Sequence, residues 1–168
     1  RSAPVLHGGV EHQGLVGRFL SLLPFELTGA QKRVLAEIEQ DLVRPEPMAR
    51  LVQGDVGSGK TVVAIAALLR AVEAGCQGAL MAPTEVLAAQ HYRSLCSWLP
   101  PLHVSVELLT GSTPRRSRRQ ILSDLAGGTL RILVGTHALL EDPVEFERLG
   151  LVVVDEQHRF GVRQRNRL

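Results

Sequence analysis

Gly54-Asp-Val-Gly-Ser-Gly-Lys60-Thr61 is the stretch from which the rest of this sequence can be read. It satisfies G-x-x-x-x-G-K-[ST] at every fixed position, the pattern of a loop that wraps the phosphates of a nucleoside triphosphate. The glycines let the backbone turn tightly, so that N–H groups along Gly54, Asp55, Val56, Gly57, Ser58 and Gly59 point inward at phosphate oxygens. A helix opening at about Thr61 aims its positive end at the same anion. In such a loop Lys60 reaches the β- and γ-phosphates, and the Thr61 hydroxyl ligates Mg²⁺. A glycine-rich turn can match by chance, in roughly one chain of this length in a few hundred at average residue frequencies. The flanks argue against chance. Met48 to Gln53 is a short, mostly apolar run suited to a strand, and Thr61 to Ala74 (TVVAIAALLRAVEA) is an apolar helix that Gly75 can cap.

Upstream, residues 1–13 have no periodicity and read as a linker or flexible end. Gly14 to Leu23 suits a short helix with Leu15, Phe19, Leu22 and Leu23 on its apolar side, stopped by Pro24. Residues 1–23 are therefore read as an N-terminal extension and 24–168 as one domain. Val34, Leu35, Ile38 and Leu42 recur at helical spacing in a segment running to about Val43. Downstream, Gln77 to Ala82 is a second strand ended by Pro83, and Thr84 is placed to cap a helix reaching Leu99. Val86, Leu87, Leu95, Trp98 and Leu99 are its expected buried stripe. His103 to Leu109 alternates as a third strand, Thr113-Pro114 opens a helix ending at Gly127-Gly128, and Leu130 to Val134 and Leu151 to Val154 complete the strands. Strands that are nearly all apolar, alternating with helices, describe a parallel sheet covered on both faces, an α/β fold.

Composition sets limits without deciding function. The hydrophobic share of 45% and charged share of 21% suit a globular α/β protein, and 168 residues can bury a core. No apolar run is long enough to span a bilayer, and the N-terminus has no signal-peptide pattern. Cys76 and Cys96 are far apart with no metal-ligand spacing, and read as reduced, buried thiols of an intracellular protein. The net charge of +2 says little about partners. Lys32 and Lys60 are the only lysines among the basic residues. Phosphate contacts or a GC-rich genome would each produce that bias.

Leu151-Val-Val-Val154 ends in Asp155-Glu156. A carboxylate at the C-terminal edge of a strand beside a phosphate loop can hold Mg²⁺, and the next acid can orient the attacking water. An acidic pair after a strand is by itself more often the start of a solvated loop. The phosphate loop upstream reverses that balance in favour of ATP hydrolysis.

Phe25-Glu-Leu-Thr-Gly-Ala-Gln31, Gly54 to Thr61, Met81-Ala-Pro-Thr-Glu-Val-Leu-Ala-Ala-Gln-His91, Leu109-Thr-Gly-Ser112, Gly135-Thr-His-Ala-Leu139 and Asp155-Glu-Gln-His-Arg-Phe-Gly161 follow one another in this order. Over about residues 15–168 the chain resembles superfamily 2 helicases, most of all the RecG type, the ATP-dependent branch-migration helicases of bacteria. The related transcription-repair coupling translocases usually have glutamate where Gln157 stands. The resemblance implies a RecA-like P-loop NTPase domain, a three-layer sandwich with a mainly parallel central sheet, incomplete before its last strand. It implies ATP and Mg²⁺ as cofactors, branched or forked DNA as partner, no membrane, and a bacterial cytoplasmic location. A second RecA-like domain and an upstream wedge domain are expected in the full-length protein.

By motif, the resemblance assigns Gln31 to the adenine edge and Phe25 to the flank of the nucleotide. Lys60 and Thr61 hold phosphate and metal, Asp155 completes the metal site, and Glu156 handles the water. Gln157 and His158 link the γ-phosphate to the second motor domain. Pro83, Thr84, Gln90, Thr110, Gly111, Ser112, Thr136 and His137 face the DNA backbone, which a translocase grips without reading sequence. Plainer readings stand beside these. Thr84 can be only a helix cap, Thr110 to Ser112 only a turn, and His91 and Trp98 core packing. The Arg115, Arg116, Arg118 and Arg119 cluster is as well explained by a solvated helix face as by DNA phosphate. Arg163, Arg165 and Arg167 receive no role. A nucleotide-binding module without hydrolysis is the competing class, disfavoured because both Lys60 and Glu156 are present.

Overall fold

The structure is a computed structural model that describes residues 14–41, 48–53, 59–136 and 144–156, with the side chains of 38, 41, 48–53, 59, 60 and 156 outside that description. Its elements are α1 (Leu15–Leu22), α2 (Gly29–Asp41), β1 (Met48–Gln53), α3 (Gly59–Glu73), β2 (Gln77–Ala82), α4 (Glu85–Trp98), a 3₁₀ turn (Pro100–Leu102), β3 (Val106–Leu109), α5 (Arg115–Gly127), β4 (Ile132–Thr136) and β5 (Leu149–Glu156). The strands form a five-stranded sheet in the order β1-β5-β2-β4-β3, with every pairing parallel. The α/β, three-layer expectation holds.

Alternation along the strands divides the apolar side chains between two cores. Leu80, Ala82, Ile132, Val134, Leu151 and Val153 pack with α1, α2, α3 and α4 on one face. Met81, Leu109 and Leu133 pack with Ile121 and Leu125 of α5 on the other. Helix α3 lies deepest. Its residues from Val63 to Leu69 and Ala71 are buried, as expected of a helix covered nearly all round. It ends where Gly75 adopts φ +84°, a left-handed conformation that glycine takes without a Cβ penalty. There the Cys76 N–H bonds to Ala71 O and the Gly75 N–H to Val72 O, which closes the helix and turns the chain into β2.

Several boundaries differ from the sequence reading. Helix α1, inside the stretch read as an extension, packs into the main core. Phe19 is fully buried and meets Trp98 edge-on with ring centroids 5.7 Å apart, while the Val16 N–H donates to Glu73 Oε2 over 3.1 Å. Val16 and Phe19 are buried there, whereas Leu22 is 44% exposed. In α2 it is Leu35 that is buried and Val34 that is exposed; Leu42 and Val43 lie outside the described residues.

On α4 the buried stripe is Ala88, His91 and Leu95, with Leu87 and Trp98 half-buried and Val86 71% exposed. Strand β3 begins at Val106, not His103. His103 takes φ 57° at the end of the 3₁₀ turn, and the Ser105 hydroxyl first accepts the Arg131 N–H over 2.9 Å. Strand β4 is displaced two residues later than expected, because the Leu130 carbonyl is taken by a side chain. Helix α5 starts at Arg115. The Thr113 hydroxyl does not cap it, because it accepts the Thr110 N–H instead, over 2.9 Å. Cys76 and Cys96 are free thiols, but Cys96 is exposed and Cys76 half-buried, which corrects the expectation of buried cysteines. No helix among the described residues is long and apolar enough to cross a membrane.

Candidate nucleotide and nucleic-acid site

In an open parallel sheet, ligands collect at the carboxyl ends of the strands. The candidate residues fall there. Pro83 and Thr84 follow β2, Thr110 to Ser112 follow β3, Thr136 ends β4, and Asp155 and Glu156 end β5. The β1–β5 register pairs Val52 with Asp155 and Gln53 with Glu156. The acids therefore belong to the strand itself, which runs past the expected Val154. They lie level with the last residues of β1, where the phosphate loop departs. Lys60 and Thr61 open α3, on the far side of that loop. Gly54, Asp55, Val56, Gly57, Ser58, His137, Gln157 and His158 lie outside the described residues.

Asp155 is the best-defined group of the site. It shares strand parity with Leu151 and Val153, so its carboxylate faces the side of the sheet that α4 covers. It is 4% exposed, and its Oδ2 lies 2.7 Å from His91 Nε2. A carboxylate has only acceptors to offer, so the imidazole Nε2–H donates. A carboxylate this deep is costly unless partnered, and His91 supplies a partner. Two oxygens offer about four acceptor positions, of which the imidazole is the one occupant among the described residues. A hard cation prefers such an oxygen donor, so Asp155 fits Mg²⁺ through Oδ1. Among the described residues no group of three or more His, Cys, Asp or Glu side chains could hold a metal by itself.

A second network lies at the same edge. The Thr84 hydroxyl caps α4 by accepting the Leu87 N–H over 3.1 Å. The neighbouring Glu85 carboxylate accepts the Gly111 N–H over 3.1 Å and the Ser112 hydroxyl over 2.8 Å. A Cβ on Gly111 would lie 3.2 Å from that carboxylate, so glycine permits the close approach. Within the loop the Thr110 hydroxyl accepts the Ser112 N–H over 3.2 Å. Thr84 and Thr110 thus use an acceptor position each, while their O–H groups can still donate. Gln90 is exposed on α4, Pro83 and Thr136 are half-buried, and Arg115, Arg116 and Arg119 are exposed on the first turns of α5 directly after this loop.

Gln31 has local work as well. Its Oε1 accepts the Thr28 N–H over 2.8 Å while the Thr28 hydroxyl accepts the Gln31 N–H over 3.1 Å, a capping box that starts α2. Phe25 is 48% exposed just before it. Tyr92, next to His91, has its phenol pushed up to about 12, first by burial and then by the Cys96 thiol and Glu107, so it is uncharged at neutral pH.

Two contributors escaped the sequence reading. Glu85 received no role, and His91 was read as core packing. His91 is buried, but its partner is an acid of the site rather than the apolar core. The available signal was its position in the otherwise apolar 88/91/95 stripe, where a buried imidazole needs a hydrogen-bond partner.

The profile of the DEAD/DEAH box helicases matches residues 28–168. The ATP-dependent DNA helicase RecG of Synechocystis sp. is 62% identical over 157 residues, and that of Bacillus subtilis 58% over 151. Those matches cover 94% and 90% of this chain. The chain spans only 19% and 22% of those two relatives, about a fifth of their length. Among solved structures, RecG bound to a three-way DNA junction superposes with a TM-score of 0.77 at 49% identity, covering 87% of this chain and 20% of that one. The parallel sheet, the acids level with the phosphate-loop strand and a profile match over residues 28–168 agree, and the chain belongs to the DEAD/DEAH box helicase family.

Proposed function

We propose that this chain is the ATP-binding part of a RecG-type DNA helicase, whose full-length form couples ATP hydrolysis to remodelling of branched DNA such as stalled forks and Holliday junctions in a bacterial cytoplasm. The observation that carries the reading is the β1–β5 register, which sets Asp155 and Glu156 beside the strand that feeds Gly54 to Thr61. The junction-bound relative supports DNA as the partner. A transcription-repair coupling translocase is less well supported, because the relatives at 62% and 58% identity are RecG helicases.

In this reading Gly54, Asp55, Val56, Gly57, Ser58 and Gly59 wrap the phosphates and Lys60 contacts the β- and γ-oxygens. Thr61 and Asp155 hold Mg²⁺, which offsets charge on the transferring phosphoryl group. Glu156 orients the attacking water and receives its proton. Gln157 and His158 report the γ-phosphate to a second RecA-like domain, expected to supply an arginine worth ~10³–10⁵ in rate. Gln31, held by the capping box, keeps its amide nitrogen to donate to adenine, with Phe25 alongside. Pro83, Thr84, Gln90, Thr110, Gly111, Ser112, Thr136 and His137 line the DNA backbone. Among the described residues the Thr84 and Thr110 hydroxyls accept a hydrogen bond and keep a proton to donate, which suits phosphate without reading bases.

The test is DNA-stimulated ATP hydrolysis by the full-length protein carrying Glu156→Gln. Turnover should fall by about 10²-fold or more, as expected for loss of a group that acts on the water, while nucleotide binding persists. Unchanged turnover would sink the motor reading and leave a nucleotide-binding module.

A further inference from the structure

His91 and Asp155 form a buried polar contact that packing of the apolar core does not by itself require. A leucine at 91 would continue the Ala88 and Leu95 stripe and fill the same interior without desolvating a polar ring. The imidazole instead meets a carboxylate at 2.7 Å, with both side chains 5% exposed. The contact spans 64 residues of sequence and joins the second turn of α4 to the end of β5. Holding one oxygen fixes the rotation of the whole carboxylate, so the direction of Oδ1 follows from where His91 stands.

Helix α4 is itself anchored at its other end. Seven residues before His91, about 10 Å along the helix axis, Thr84 caps it and Glu85 bonds Gly111 and Ser112. One rigid element therefore carries Thr84 at its cap, holds Gly111 and Ser112 through Glu85, and presents the partner of the proposed metal ligand two turns later.

We infer that His91 is a positioning residue for Asp155, orienting its other oxygen, Oδ1, towards Mg²⁺, and that α4 thereby links the nucleic-acid edge of the site to its nucleotide edge. This rests on the helicase reading above. Loss of an outer partner of a metal ligand typically weakens metal binding about 10–100-fold. A displacement of α4 by bound DNA would pass to Asp155 through the same contact, and by linkage bound Mg·nucleotide would alter DNA affinity by the same factor.

The experiment uses the full-length protein with His91→Leu, His91→Asn and His91→Gln. A fluorescent non-hydrolysable ATP analogue reports binding as Mg²⁺ is titrated, without turnover. A labelled three-way DNA junction reports DNA affinity with and without saturating Mg·analogue. His91→Leu should raise the Mg²⁺ concentration for half-maximal binding at least tenfold, leave binding in EDTA unchanged, and reduce the effect of Mg·analogue on DNA affinity to within a factor of two. His91→Gln, which keeps an N–H donor at similar reach, should recover the Mg²⁺ requirement to within about threefold of wild type. Wild-type Mg²⁺ dependence in folded His91→Leu would reduce His91 to a core residue and overturn the proposal. If His91→Leu does not fold, His91→Asn, polar but too short to reach, takes its place with the same expectation. Failure of both to fold would assign the contact to stability and also overturn it. Lys60→Ala separates the two readings, since it should lose analogue binding with and without Mg²⁺. Absence of Mg²⁺-dependent binding in the wild type would instead refute the helicase reading itself.

Discussion

The two ends of the central sheet each bury a polar side chain, and the two are partnered in opposite ways. At the amino-terminal edge, Gln77 is fully buried and its amide is used almost to capacity. Its Nε2 donates to Leu125 O over 2.9 Å and Leu130 O over 2.7 Å, and its Oε1 accepts the Arg148 N–H over 2.7 Å. All these partners are backbone groups, drawn from the end of α5 and the approaches to β4 and β5. At the carboxyl edge, Asp155 meets a side chain through one oxygen, and among the described residues its other acceptor positions are open. Gln77 closes a structural seam, so nothing is left for a ligand to satisfy. Asp155 carries a carboxylate into the interior with one partner among the described residues, an arrangement that leaves room for a ligand. Burial of a polar group is therefore a poor guide to its role, and the number of its unfilled hydrogen-bond positions is a better one.

Replacing Gln77 tests the structural half of that contrast and should have the largest effect on stability. Gln77→Leu fills the space but strips the Leu130 carbonyl and the Arg148 N–H of their partner, while Leu125 O keeps the Gly128 and Glu147 N–H groups. Each orphaned group costs ~1–3 kcal/mol, so a loss of about 3 kcal/mol or more is expected in urea denaturation of the chain. Nucleotide affinity of the folded protein should be unchanged, because the residue lies at the opposite end of the sheet from Asp155 and the last residues of β1. A Gln77→Leu variant as stable as wild type would show that the seam is held by the apolar core alone.

Thr84 is an intermediate case, an exposed hydroxyl whose acceptor caps α4 and whose proton has no acceptor among the described residues. Thr84→Ala should cost about 1 kcal/mol of stability through the lost cap, read as a lowered urea midpoint. Thr84→Ser keeps the cap and the hydroxyl, and should restore both stability and DNA affinity in the full-length protein. Restored stability with DNA affinity still at the alanine level would leave Thr84 as a cap only.

How far the sequence could be read follows the same division. Parallel strands buried on both faces appear as apolar runs, so Met48–Gln53 and Gln77–Ala82 were legible to the residue. The ends of β3, β4 and β5 were not, because they are set by neighbours distant in sequence. β5 starts early where the Gln77 N–H finds Arg148 O, and it ends late because β1 continues beside it to Gln53. Local hydroxyl choices were half legible. Thr84 caps its helix as its position before Glu85 suggests, but Thr113 is diverted to the Thr110 N–H within its own turn. The phosphate loop and acid pair were visible because their chemistry fixes residue types at short spacing. The His91–Asp155 and Glu85–Ser112 contacts span 64 and 27 residues and leave no local pattern.

The smallest stability effect should come from the most functional of these groups. Asp155→Asn removes the buried charge while keeping the shape, and the amide oxygen can still accept the His91 Nε2–H. Relief of the desolvated charge is opposed by an NH₂ left to face the metal position, so the two changes nearly offset. The expected change is within about 1 kcal/mol in either direction, against about 3 kcal/mol for Gln77→Leu, in the same urea denaturation. Mg²⁺-dependent nucleotide binding should nevertheless fall, because a neutral amide is a weaker ligand for a hard cation than a carboxylate. A stability loss matching that of Gln77→Leu would mean that Asp155 is as saturated as Gln77, with partners that hold its charge as firmly as the backbone holds the glutamine. The open oxygen would then be no place for a metal, and the contrast between the two ends of the sheet would collapse.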